Sequence, residues 1–333
     1  MTARPGFIAV NSSERSANIR RLVVQFAPQL VLALLVVVLF ILKPSTLAPG
    51  NLVSALVYTS TIVVLALGAM WVLVAGGLDL SAGIGVAVCA LVLGALIQGG
   101  DPLIVAVAAT IAAGLALGLA NGVLIGLVGI PAFIATLATM QSLQGVSLVQ
   151  GGLAGTVILN DPTLAFIGTG SMGPIPVPII YAAVVALVVW FAARFTRFGL
   201  HTYSIGSNRE ATVARGVHVV RQDLFVYLFS GTMTALTAIL LVARVQVVDP
   251  HIASLNTLLD AFAATILGGT SLFGGRGSVS GTVTGAIVIG LLTTSLITLG
   301  VGPQYVQLVK GATIVIAVVV DAFVRRLERQ AGA

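Results

Sequence analysis

Apolar runs of near-bilayer length recur along this chain, separated by short polar or Gly/Pro-rich joints. They fall at approximately 22–42, 51–74, 80–98, 102–128, 131–150, 176–194, 222–244, 258–272, 279–299 and 304–324. Most come near the roughly 20 residues a helix needs to cross a hydrocarbon core. Lys43-Pro44 and Pro49-Gly50 part the first from the second, and Gly76-Gly77 the second from the third. Gly99-Gly100-Asp101-Pro102 and Ile130-Pro131 make the next two breaks. Proline removes a backbone donor and glycine costs backbone entropy, so both punctuate helices. The runs are continuous rather than alternating, which excludes a membrane barrel of period two. They predict an all-α polytopic membrane protein with about ten transmembrane helices. Its parts are a leader (1–21), a transmembrane domain (22–324) and a tail (325–333).

One long polar stretch, 194–221, interrupts this sequence of runs. It holds Arg194, Arg197, Arg209, Arg215 and Arg221, with His201, His218 and Glu210, whereas no Lys or Arg lies between Lys43 and Arg194. The positive-inside bias places such a loop, about 195–221, in the cytoplasm. Threading the runs from an inside N-terminus puts Arg276 and the terminal Arg325, Arg326 and Arg329 inside as well. Of 16 basic residues, Lys43, Arg244 and Lys310 are the exceptions. Both termini are then cytoplasmic. The first run follows a polar leader with Arg15, Arg20 and Arg21 and lacks a small-x-small cleavage site, so it reads as a retained helix.

Composition narrows the function. Hydrophobic residues make up 58% of the chain and charged residues 8%, against roughly 25% charged in soluble domains. The net charge of +6 follows from the topology; no soluble basic module exists to carry nucleic acid. The single cysteine, Cys89, excludes an internal disulfide and a zinc-type cluster. Lys43 and Lys310 are followed by Pro44 and Gly311, so no P-loop is present and the chain does not bind ATP through one. No nucleophile elbow or metal-ligand spacing appears, and no cofactor is expected.

Polar groups at membrane depth each need a reason, since a carboxylate there costs about 2.5–3.5 kcal/mol on insertion scales. Asp79, just before Leu80-Ser81, suits a cap on the third span. Asp260, after Asn256 and Thr257, suits the positive end of the eighth span and is expected to pair with Arg244. Asp223 and Asp321 read as boundary residues. Asn121, Thr136, Thr139, Gln141 and Gln144 form an uncharged polar set on spans 4 and 5, and Gln304, Gln307 and Lys310 another on span 10. Such groups suit a neutral hydroxylated solute or interhelical hydrogen bonds. The candidate pathway or gating residues are Gly76, Gly77, Asp79, Ser81, Asn121, Pro131, Thr136, Thr139, Asp260, Gly268 and Gly269.

Glycines add a hint of symmetry. Gly114, Gly118, Gly122 and Gly126 recur every four residues in span 4, as do Gly277, Gly281 and Gly285 at the start of span 9. This spacing lets a neighbouring backbone approach one face. Span 4 leads to Gly129-Ile130-Pro131 and span 9 to Gly300-Val301-Gly302-Pro303. The two run in opposite directions in the threaded topology, which predicts an inverted repeat of spans 2–5 on spans 7–10. A match of Gly76-Gly77 with Gly268-Gly269 would make the repeats parallel; the inverted pairing is preferred. The segment 151–178, rich in Gly, Pro, Ser and Thr, falls outside, where it covers a path, receives a partner or simply connects.

Five stretches now carry a resemblance. A-G-G-L-D-L-S-A-G (75–83), N-G-V-L-I (121–125), I-P-A-F-I-A-T-L-A-T-M (130–140), G-S-N-R-E-A-T-V-A-R-G-V (206–217) and the run from Leu259 to Thr282 resemble permease subunits of ribose-type sugar ABC importers, and the likeness extends from span 2 to the C-terminus. The resemblance implies a bacterial inner-membrane permease that works with a second permease subunit, a homodimer being the simpler case. It also implies an ABC ATPase subunit and a periplasmic or lipid-anchored sugar-binding protein, with membrane lipid around the assembly. It implies a short cytoplasmic coupling helix that docks on the ATPase, mapping to Ser207, Asn208, Arg209, Glu210, Ala211, Arg215 and Gly216. Glu210 at its start and Arg215 near its end also suit the helix dipole. Thr212-Val213 departs from the family pattern. Two other readings stay open: a secondary transporter acting alone, and an ABC permease for nucleosides or branched-chain amino acids. The apparent lack of buried charge pairs argues against the first.

Overall fold

The computed structural model describes residues 28–331; the leader 1–21, the first run's opening 22–27 and residues 332–333 lie outside the described residues. The helices are α1 (Pro28–Leu42), α2 (Pro49–Val74), α3 (Ala82–Gln98), α4 (Leu103–Gly122), α5 (Ala132–Ala154), α6 (Pro162–Thr169), α7 (Val177–Phe195), α8 (Arg197–Ser207), α9 (Arg209–Ala214), α10 (Val219–Val245), α11 (Leu255–Leu267), α12 (Val279–Thr298) and α13 (Pro303–Ala331). Among the described residues, each of the ten apolar runs contains a helix. Six are long and apolar enough to cross a membrane: α2, α4 with its π-helical extension Val123–Leu127, α5, α7, α10 and α12. Helices α1, α3 and α11 are apolar but shorter. The chain is a multi-pass membrane protein.

The strands β1 (Val157–Ile158), β2 (Ser171–Met172), β3 (Ile175–Pro176) and β4 (Val247–Val248) are minor. β1 pairs antiparallel with β4, and Leu159 N–H bonds the Gln246 carbonyl at 2.9 Å. This staples the 151–178 segment to the end of α10. Within that segment Asp161 caps α6, accepting from Leu164 N–H at 2.7 Å. A Cβ on Gly168 would lie 2.0 Å from the Ala243 backbone, so α6 packs tightly on α10. The segment is folded and packed on α10 rather than a plain connector.

Helix α2 is the buried centre. Trp71 is fully buried, stacked 5.1 Å from Phe198 of α8 and 5.2 Å from Phe229 of α10. Close approach of α2 and α10 relies on Gly68, whose missing Cβ leaves room for Met233. The span-4 glycine ladder works as the spacing predicts. Gly114, Gly118, Gly122 and Gly126 face Gly231, Tyr227, Leu224 and Val220 of α10 in turn, which fixes an antiparallel crossing. The second ladder packs elsewhere: Gly281 and Gly285 of α12 meet Gly268 and Ala264 of α11. The two ladders therefore serve non-equivalent interfaces.

The packing itself is paired. α2 lies on α12 as α10 lies on α4; α3 contacts α4, α5 and α10 as α11 contacts α12, α13 and α2. Gly77 adjoins Tyr227 and Gly68 adjoins Met233, so α2 and α10 run antiparallel. Helix α3 begins beside Ser230, near the middle of α10, and its Gly83 touches Ser254 and Leu258 of α11. Two short helices thus start where their first turns meet, and run away from each other.

Candidate coupling site and transport path

The polar stretch 194–221 folds as two short helices rather than one. Thr196 caps α8 by accepting from Gly199 N–H at 3.2 Å, and Asn208 caps α9 by accepting from Ala211 N–H at 2.9 Å. Gly216, at φ 81°, ends the second helix, and Val217 N–H bonds the Thr212 carbonyl at 3.3 Å. The helix expected over 207–216 is therefore the shorter α9, which starts at Arg209 because Ser207 still belongs to α8, and which ends before Gly216. Ser207, Asn208, Arg209, Glu210, Ala211, Arg215 and Gly216 are all exposed. Thr212 turns inward at 5% exposure, its hydroxyl on the Asn208 carbonyl at 2.7 Å, while Val213 is half exposed. The departure from the family pattern is thus half core, half surface.

Helix α8 was not predicted. Its inner face holds Phe198, Gly199, Thr202 and Ile205, a helical spacing that the surrounding charge conceals. Gln222 Nε2 donates to the Phe198 carbonyl at 2.9 Å and to Thr202 Oγ1 at 2.8 Å. Tyr203 donates to the Gly277 carbonyl at 2.9 Å, and burial raises its phenol pKa. At the end of α8 three backbones converge. A Cβ on Gly206 would sit 1.8 Å from the Val74 carbonyl oxygen and 2.5 Å from Gly275 N, while Gly275 N–H bonds Val74 at 2.9 Å. Gly76 and Gly274, at φ 82° and 89°, complete this junction. The polar pair α8–α9 is thereby joined to the end of α2 and to the α11–α12 loop.

Arg209 begins α9 and donates twice to Asp223, the fifth residue of α10, from Nη1 to Oδ1 at 3.2 Å and from Nη2 to Oδ2 at 2.5 Å. Those bonds hold the guanidinium more firmly protonated than usual. Asp223 is therefore more than a boundary residue. A cavity of about 340 Å³ lies beneath the pair, lined by Gly76, Gly77, Gly126, Pro131, Arg209 and Tyr227 among others. Four expected site residues, Gly76, Gly77, Pro131 and Arg209, thus meet at one place. The π-helical turn at the end of α4 supplies Gly126, whose carbon approaches Val220 and Asp223.

Deeper in, Asp79 is buried without a cation. Its Oδ1 accepts from Ser81 N–H at 3.0 Å and Ser81 Oγ at 2.6 Å; its Oδ2 accepts from Ser230 at 2.7 Å. Asn121 Nδ2 donates to Ser81 Oγ at 2.8 Å. This network braces the turn at Ser81 that leads into α3, where the sequence predicts a cap on the helix itself, and ties that turn to α4 and α10. Sequence reading missed Ser230, one hydroxyl in an apolar helix. Thr136 donates to the Ala132 carbonyl at 2.8 Å and approaches the Leu78 carbonyl at 3.3 Å; Thr139 donates to Ala135 at 2.9 Å.

Asp260 corrects an expectation. Its partner is Lys310 at 2.8 Å, with Tyr58 Oη at 3.4 Å, whereas Arg244 lies over the Tyr58 ring at 5.2 Å. Lys310 comes from α13, which packs on α11, and Arg244 is left with the aromatic face. The pair's side chains are 16% and 12% exposed, so a buried charge pair does exist. Gly268 sits against Gly281, and Gly269, at φ 81°, ends α11, so both serve packing and capping. Gln141 and Ser142 on α5, and Gln304 and Gln307 on α13, are exposed polar residues on helices that hold corresponding places in the packing.

Comparison with known proteins completes this picture. Residues 51–318 match the family model described as branched-chain amino acid transport system / permease component. The ribose import permease protein RbsC of Bacillus subtilis (strain 168) is 38% identical over 89% of this chain and 92% of its own. Its Escherichia coli (strain K12) namesake is 35% identical over 88% and 92%. The D-allose transport system permease protein AlsC of the same strain is 30% identical over 89% and 91%. No solved structure matches the chain. An exposed helical pair joined by glycines to a multi-pass apolar core fits what these matches establish: the chain belongs to the branched-chain amino acid transport system permease component family, beside the sugar-import permeases.

Proposed function

We propose that this chain is the membrane subunit of an ABC importer for a monosaccharide, a pentose such as ribose or a related hexose. The observation that carries the mechanism is α9, held out from the core by α8 and the glycine junction with Glu210, Ala211 and Arg215 on its surface. That element docks on a separate ATPase, which binds the ATP. Ser207, Asn208 and Gly216 shape it through the cap and the stop. Closure of the ATPase pair displaces α8–α9, and the spans rock between inward- and outward-open states.

Several further features belong to this reading. Two permease copies form the path, a binding protein delivers the sugar at the α6 end, and the α8–α9 end and both termini face the cytoplasm of a bacterial inner membrane. Ten spans cross, with α3 and α11 as half-helices whose first turns meet at depth, as in many transporters. The exchange of α2, α3, α4 and α5 for α10, α11, α12 and α13 preserves the packing partners, and α2 and α10 run antiparallel; both support an inverted repeat. The exposed amides of α5 and α13 suit a path for a neutral hydroxylated solute, because such groups gain nothing from lipid. Pro131, Gly76 and Gly77 stand at its inner gate, and Asp79, Ser81, Asn121, Thr136 and Thr139 behind it.

A pull-down with an ATPase assay in nanodiscs tests the reading. The parent is expected to co-purify an ABC ATPase, and Glu210→Ala with Arg215→Glu to lose it while remaining folded. The Asp260–Lys310 pair favours a second reading, a carrier acting alone. Solute uptake by the parent with no ATPase bound would establish that one instead.

A further inference from the structure

We propose that Arg209 and Asp223 form the positioning link that carries movement of the coupling helix into the transmembrane core. Arg209 then acts inward, on α10, while Glu210 and Arg215 act outward. This inference rests on the importer reading and adds the connection which that reading lacks. Two short helices on a surface can be pushed without moving anything beneath them. The bonds of 3.2 and 2.5 Å from one guanidinium to both oxygens of one carboxylate fix direction as well as distance. A lysine there would offer a point charge and no fork. The Asp223 side chain is 8% exposed, so it has little water to exchange for its partner, whereas Arg209 is 51% exposed and reaches down from α9.

The position of the pair gives the link something to move. It closes the cavity walled by Gly76 and Gly77 after α2, Gly129 after α4 and Pro131 before α5. Asp223 lies in the helix that packs on α2, α3 and α4 and that holds Asp79 through Ser230. A pull on Asp223 therefore reaches the ends of the spans around the inner gate. The glycine junction attaches the other helix, α8, to α2. Movement of α8–α9 is thus delivered at two places, α2 and α10, both of which wall one cavity.

The test uses the complete complex in nanodiscs, in a Cys89→Ser background, with spin labels at Val220→Cys on α10 and Ile134→Cys on α5, both exposed positions. Inter-label distance is read with and without ATP and vanadate for the parent, Arg209→Lys, Arg209→Glu, Asp223→Arg and the double swap. The parent is expected to show an ATP-dependent shift. Each single variant should keep the ATPase bound but lose the shift, and the double swap should regain it. Loss of the ATPase from the Arg209 variants would make Arg209 a docking contact and overturn the proposal, as would an undiminished shift in Arg209→Glu or Asp223→Arg. A parent that binds no ATPase would instead overturn the importer reading itself.

Discussion

Gly206 shows how much one missing carbon can decide. A Cβ there would overlap the Val74 carbonyl, and neither backbone has a flexible end to yield. Gly206→Ala is expected to cost about 1–3 kcal/mol, the usual penalty for overpacking. Gly145 on α5 has nothing within 4 Å of its would-be Cβ, so Gly145→Ala should be neutral or up to about 1 kcal/mol stabilising in its helix. Thermal unfolding followed by fluorescence-detected size exclusion separates the two. The role of Gly206 depends on a carbonyl 132 residues earlier and a loop 69 later, which no local pattern encodes. Thr212 is similar: its inward turn follows from the Asn208 cap and helix phase, and only the structure says which face is inward.

Among the helices, the long apolar runs were legible because each buries or exposes an unbroken hydrocarbon surface that loops cannot. Helix α8 was hidden because Arg197 and His201, with arginines on either side of it, mask a four-residue inward face, and α6 because eight residues are too few for a period to emerge. Ion pairs between helices were the least legible, since they depend on which helices become neighbours. Asp260 lies 16 residues from Arg244 in sequence, yet the fold pairs it with Lys310, 50 residues away. That pair joins α11 to α13. Asp260→Asn or Lys310→Met alone should destabilise by about 3–5 kcal/mol, by leaving one charge buried and unpaired. The two together should cost less than their sum, and a double-mutant cycle on thermal stability checks this.

For the molecule as a whole, the charge distribution predicted one face and the structure assembles it: α8, α9, the start of α10 and the loop with Arg276 lie at one end, and α6 with the β1–β4 pair at the other. Cys89 is buried, which leaves a quiet background for labelling. Met172→Cys, 61% exposed beside α6, is expected to react with an impermeant maleimide in intact cells. Val213→Cys, 50% exposed on α9, should react only in inside-out vesicles. The reverse result would invert the topology and place the coupling helices out of reach of any ATPase. The location of the candidate coupling site was legible because its charges are isolated in an apolar chain. Its depth was not, since the Ser230–Asp79 and Arg209–Asp223 contacts depend on which segments pack on α10.

The crossing at Gly68 makes α2 an unequal lever. Gly68 is where α2 packs tightly on Met233 of α10, six residues from the helix end held by the glycine junction and 19 from the other end at Pro49. At 1.5 Å per residue these arms are about 9 and 28 Å long. If α2 pivots there as a stiff rod, each ångström given to the short arm becomes about three at the far end. A small stroke beneath one face would then swing the opposite mouth wide, and the gearing would be set by where along α2 that glycine falls.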